Sequence, residues 1–144
     1  MKIDIVKLRP TAVLPEYQTA GAAGADIHAC IDAPITLQPL ERRMIPTGLS
    51  MAIPIGYEVQ IRARSGMSIK HGITMVNGIG TIDADYRGEV GVLAINLSQD
   101  AFTIEPGMRI AQMVVAKYET IGWNEVEALD ETDRGVGGYG SSGS

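Results

Sequence analysis

Several common kinds of protein are excluded by what this sequence lacks. A single cysteine, Cys30, leaves no intrachain disulfide and fits a reducing compartment. With two histidines, His28 and His71, beside that cysteine, a zinc site of the usual ligand count is short of ligands. Any metal would therefore be held by oxygen. No apolar run approaches the roughly 18–20 residues that cross a bilayer. The opening Met1-Lys2-Ile3-Asp4 has no signal-peptide pattern, so no membrane and a cytoplasmic location are expected. Basic excess is also missing, with 12 Lys and Arg against 17 Asp and Glu. That argues against duplex nucleic acid as a partner, because a phosphate backbone selects a basic face.

The charge is unevenly placed. Residues 1–118 carry eleven Lys/Arg and eleven Asp/Glu, whereas from Glu119 onward six acids meet one base, Arg134. A neutral body still admits a small phosphate ligand, which needs only a few well-placed arginines. At 144 residues and 45% hydrophobic content the chain can bury one real core. The organisation expected is a body over 1–118, an acidic connector over 119–133 with no Lys or Arg, and a glycine-rich arm over 134–144.

Apolar residues recur with period two. Lys2 to Leu8 and Tyr57 to Arg64 alternate, and Val90 to Leu97 and Met108 to Tyr118 are apolar β-type runs. Turn signals recur at short spacing: Pro46-Thr-Gly48, Pro54-Ile-Gly56, Asn77-Gly78 and Pro106-Gly107. The fold class expected is all-β, a jelly-roll-like sandwich or barrel with a flexible C-terminal arm. The one helix expected is short, with Ser65 capping Gly66 to Lys70 and His71-Gly72 ending it.

The chemistry is concentrated in five stretches. Gly78 to Gly91, GIGTIDADYRGEVG, sets Asp83, Asp85, Tyr86 and Arg87 between glycines. It reads as a β-hairpin whose backbone approaches a ligand closely, with an acid able to act as general base and a ring able to wall off a ligand. Ala22 to Ala29 turns through glycine into a strand bearing Asp26. Arg64-Ser65-Gly66 ends a strand with a guanidinium, a hydroxyl and N–H groups suited to one anion. Gly107 to Gln112 brings Arg109 and Gln112 into one strand. The tail, RGVGGYGSSGS, has five glycines in eleven residues and is disordered when free. A plain linker is one reading of it; a Walker A loop fails because no lysine follows the glycines. Arg134 and Tyr139, which linkers seldom carry, favour an arm that orders over a ligand.

AGADIHA, RSGMS, GTIDADYRG, GMRIAQM and RGVGGYGSSG, in this order, resemble the five motifs of the trimeric deoxyuridine triphosphatases. The resemblance runs from Lys2 to Gly143. Tyr139 stands where many members carry Phe, and a ring serves stacking either way. The resemblance implies a β-jelly-roll (β-clip) protomer and a homotrimer with sites shared between subunits. It implies Mg²⁺-dependent hydrolysis of dUTP to dUMP and pyrophosphate, which limits uracil incorporation into DNA and supplies dUMP for dTMP synthesis. By the same resemblance, Asp83 activates the water that attacks the α phosphate. Arg64, Ser65, Gly66 and Gln112 grip phosphate, and Asn77, Thr81, Ile82 and Gly91 form the base pocket. Tyr86 packs under deoxyribose, while Arg134 and Tyr139 close over a neighbour's site. Mg²⁺ is expected on the phosphate oxygens and water, and Asp26 either reaches the hydrated ion through a water or caps its own turn. Asp85 is expected to pair with an arginine such as Arg87; His28, Cys30 and His71 receive no role. Two rivals stand beside this reading, a deoxycytidine triphosphate deaminase of the same fold and a member that works by binding a regulatory partner.

Overall fold

The computed structural model describes residues 1–138. Its elements run β1 (Asp4–Lys7), β2 (Ala25–His28), β3 (Ile35–Leu37), β4 (Arg42–Pro46), β5 (Leu49–Ala52) and β6 (Tyr57–Arg62). Then come the helix α1 (Ser65–His71), β7 (Ile73–Met75), β8 (Gly80–Ile82), β9 (Gly91–Asn96), β10 (Phe102–Ile104) and β11 (Arg109–Lys117). Period-two alternation becomes burial: β6 turns Val59 and Ile61 inward, and β9 turns Val92, Ala94 and Asn96 inward. Asn96 is tolerated at 0% exposure because its amide is fully engaged. Nδ2 donates to the carbonyls of Leu37 and Asp100, and Oδ1 accepts from the N–H and hydroxyl of Ser98.

Strands pair antiparallel throughout. They form a four-stranded sheet in the order β2-β11-β6-β8, a three-stranded sheet β4-β9-β7, and two ribbons, β1-β5 and β3-β10. One continuous core lies among them, with Ile27, Leu37, Ile45, Val59, Val92 and Ile104 no more than 1% exposed. The expected all-β sandwich with one short helix is the observed fold. Among the described residues no helix is long and apolar enough to cross a membrane.

Two local expectations need correction. Ser65 does not cap α1: extended Arg64 (φ −89°, ψ 127°) holds the cap position, no side chain closes it, and Ser65 is already helical. The strand geometry of β6 runs straight into the helix. At the other end Gly72, at φ 66°, closes α1 as expected in a conformation that costs glycine little. The second correction concerns Gly78 to Gly91, which is not a hairpin paired with itself. β8 pairs with β6, while β9, which begins at Gly91, pairs with β4 and β7, so the two limbs enter different sheets. Val90 and Val92 seat one limb in the core. Gly80 seats the other, since a Cβ there would lie 3.3 Å from Cβ of Ile61. The parting of the limbs opens a cleft between the layers.

After β11 the described chain has no strand or helix. Trp123 is 90% exposed and Leu129 85%.

Candidate active site

The cleft between the parted limbs is a cavity of about 230 Å³. Asn77, Gly80, Thr81, Ile82, Asp83, Tyr86 and Gly91 line it, together with Met44, Ile61, Met75, Glu89 and Leu93. Its character is apolar wall plus strand backbone, the kind of surface that accepts a flat ring and reads its edge. The Tyr86 hydroxyl donates to the Glu89 carbonyl at 3.0 Å, which fixes the ring at the rim. Glu89 is itself anchored: its carboxylate accepts from Arg9 Nη2 and from the Gly48 N–H, both at 2.8 Å. Asp83 is exposed and lines both this cavity and the adjoining groove with Glu58, Asp85 and Tyr118. The expected Asp85–Arg87 pair is not formed. Arg87 instead donates to the nearby carbonyls of Ala84 and Tyr86, at 2.7 and 2.8 Å within the same turn.

A second cluster forms where β2, β11 and β6 meet. Gln112 lies in register with Asp26 on one side and Arg62 on the other. Its Nε2 donates to the Ala63 carbonyl at 3.0 Å, and its Oε1 packs so close over Gly24 that any Cβ there would collide with it. Asp26, only 8% exposed, sets Oδ1 3.1 Å from Arg64 Nε and Oδ2 3.1 Å from Arg109 Nη1. It lies within a strand with both carboxylate oxygens engaged, so it does not cap a turn. Ser65 and Gly66 stand exposed beside this cluster at the start of α1.

The two clusters lie far apart along β6. Ile82 pairs with Val59, so Asp83 falls near Glu58, at the start of the strand. Arg64 follows its end. Six residue steps of extended chain lead from Glu58 to Arg64, about 20 Å. Arg134 is exposed and donates Nε–H to the Gly137 carbonyl at 2.8 Å. Tyr139 lies outside the described residues.

A model of the dUTPase family matches residues 11–143. The chain is 54% identical over 143 residues to the deoxyuridine 5'-triphosphate nucleotidohydrolase of Finegoldia magna, covering 99% of each. It is 61% identical over 131 residues to the Roseobacter denitrificans protein of the same name, covering 90% of this chain and 86% of that one. This chain belongs to the dUTPase family. Its fold superposes on the dUTPase of Staphylococcus bacteriophage 80alpha, solved with dUPNHPP, at a TM-score of 0.90. That likeness covers 99% of both chains at 29% identity. A more distant match in fold is a mutant dUTPase of phage phi11 (TM-score 0.82, 24% identity), whose structure concerns coordination of a structural Mg(II) ion.

Sequence reasoning missed part of this family member's cavity wall. Met44, Met75, Ile61 and Leu93 come from four strands, and nothing local marks them out from core residues. Glu89 and Arg9 were missed for the same reason, being 80 residues apart. Arg109 lies within GMRIAQM, but its contact with Asp26 spans 83 residues.

Proposed function

We propose that this enzyme hydrolyses dUTP to dUMP and pyrophosphate by attack of an Asp83-activated water on the α phosphate, in sites completed between subunits of a homotrimer. The 230 Å³ cavity carries the reading, because it gathers the base- and sugar-facing residues and Asp83 around one nucleoside-sized space. Uracil presents carbonyl, N–H and carbonyl along one edge; cytosine reverses two of these. The backbone of Gly80 to Ile82 and the Asn77 amide can match the uracil pattern. Against the apolar wall of Ile61, Met75 and Leu93, an unmatched polar group is costly, and discrimination on the order of 10⁴ is attainable. The thymine methyl would meet that wall, and Tyr86 under the sugar leaves no room for a 2′-hydroxyl.

The spacing along β6 supports shared sites. A general base works within hydrogen-bond reach of its target, directly or through one water. One chain's Asp83 and the same chain's Arg64, about 20 Å apart along the strand, are too distant to serve one triphosphate. Arg64, Ser65, Gly66 and Gln112 therefore grip the phosphates of a nucleotide seated in a neighbour's cavity. The exposed Trp123 and Leu129 support the same assembly, since a second copy would cover them. The connector 119–133 then carries the arm 134–144, with Arg134 for phosphate and Tyr139 for the base, onto a neighbouring site.

No group of three or more His, Cys, Asp or Glu suited to a metal occurs among the described residues. This fits an Mg²⁺ that arrives on the triphosphate oxygens and keeps its waters. Such an ion neutralises phosphate charge and holds one phosphate geometry. The deciding experiment is pyrophosphate release from dUTP, dCTP, dTTP and UTP, with Mg²⁺ and with a chelator. Release from dUTP alone, abolished by the chelator, is expected. Ammonia from dCTP would mean a deaminase, and tight dUTP binding without release would mean a regulatory binder.

A further inference from the structure

We propose that Asp26 is a positioning residue that assembles Arg64 and Arg109 into a single two-guanidinium fork for phosphate, making Arg109 a second phosphate-binding arginine. The inference rests on the reading of Arg64 as a phosphate ligand.

Plain alternation along β11 would put Arg109 and Gln112 on opposite faces. The register of β11 against β2 shifts between Arg109 and Ala111, a bulge that re-aims a side chain. Gln112 is the direct cross-strand partner of Asp26, so the two share a face. The bulge brings Arg109 to that same face, where its Nη1 reaches Asp26 Oδ2 at 3.1 Å. From the end of β6, Arg64 joins them through Nε, 3.1 Å from Asp26 Oδ1, and Nη1, which donates to the Arg109 carbonyl at 3.1 Å.

The burial gradient points outward. Side-chain exposure is 12% for Asp26, 29% for Arg64 and 46% for Arg109, so the carboxylate is inside and the guanidiniums open to solvent. One carboxylate between two guanidiniums leaves a net positive charge. Each arginine has five N–H donors, and among the described residues the Nη2 groups of both meet no acceptor. A fork held from behind with donors free in front suits a polyphosphate, which accepts such pairs in bidentate fashion. Without the carboxylate the two cations repel and splay. Both carboxylate oxygens are already taken, so an ion-bound water would compete with the guanidiniums for Asp26.

The test compares wild type, Asp26→Asn, Arg64→Ala, their double variant and Arg109→Lys, reading dUTP turnover and calorimetric binding of inorganic tripolyphosphate and of deoxyuridine. Asp26→Asn should weaken tripolyphosphate binding and raise KM for dUTP about tenfold or more. Its kcat should stay within about threefold, with deoxyuridine affinity and the Mg²⁺ concentration for half-maximal rate unchanged. In the Arg64→Ala background the same change should cost about threefold or less, because Asp26 acts through the arginines. Arg109→Lys keeps the charge but loses the fork, and should raise KM several-fold. Full multiplication of the Asp26 and Arg64 effects would overturn the proposal, as would a shifted Mg²⁺ requirement with intact tripolyphosphate binding. If Asp26→Asn does not fold, unchanged KM and tripolyphosphate affinity in Arg109→Lys overturn it alone. Asp26-dependent tripolyphosphate binding by a wild type inactive on dUTP would instead sink the dUTP reading and leave the fork standing.

Discussion

The two ends of β6 solve different recognition problems with different materials. At its start, the cavity proposed for the nucleoside is walled by apolar side chains and strand backbone, and Asp83, its proposed general base, is exposed. Beyond its end, the cluster proposed for phosphate is a compact set of ion pairs on a buried carboxylate, with a hydrogen bond from the Gln112 amide beside them. A base is a flat object with a fixed donor and acceptor edge, and backbone positions that edge rigidly. A triphosphate is a flexible chain of charge, and preset guanidiniums suit it better than shape does. On the proposed reading, selectivity belongs to one end and charge binding to the other.

Several variants would break or sharpen that contrast. The largest effect is expected from Asp83→Asn, which should lower kcat about 10²–10⁴-fold while a non-hydrolysable dUTP analogue still binds. Loss of analogue binding would move Asp83 from chemistry to structure. Next, Asp83→Asn and Arg64→Ala chains should be refolded together in equal amounts. If each site takes its two ends from different chains, about one quarter of sites regain both and activity returns from two crippled proteins. Activity no higher than the mean of the separate variants would place both ends on one chain.

A smaller effect is expected from Tyr86→Phe. It removes the hydroxyl that donates to the Glu89 carbonyl, so the ring is less firmly held. The preference for dUTP over UTP should fall by up to about tenfold with tripolyphosphate binding unchanged. Equal loss of both would show that the two ends are coupled.

The smallest effect is expected far from either end, at Glu41. Its carboxyl is held below the ordinary 4.5 by the Gln38 N–H first, with the Arg43 guanidinium adding to this. A lowered folded value means stability that is present above 4.5 and is lost as pH falls through that lowered value. Glu41→Gln should lower the melting temperature slightly at neutral pH, with the gap closing in acid. Turnover of dUTP should not change.

Much of the fold was legible because it is local. Val59 and Ile61 announce a half-buried strand by alternation alone, and His71-Gly72 announces a helix end because glycine accepts φ 66° cheaply. The functional groups of Arg64, Asp83 and Gln112 were plain from residue type, and the roles proposed for them came from the family resemblance. The cavity wall was not legible in the same way, since Met44 and Leu93 look like any other strand residues. Nor did Asp85 reveal that Arg87 would turn to backbone carbonyls instead.

By itself, then, the sequence determined the all-β class, the approximate course of several strands, their apolar faces and which side chains carry reactive groups. These follow from period, turn chemistry and functional groups, all readable within a few residues. Only the tertiary structure decided that β8 and β9 enter different sheets, opening the cavity, and that Asp26 meets Arg109 across 83 residues. Period-two alternation says which way a side chain faces; it does not say which strand lies beside it. That choice is made by packing the whole core at once.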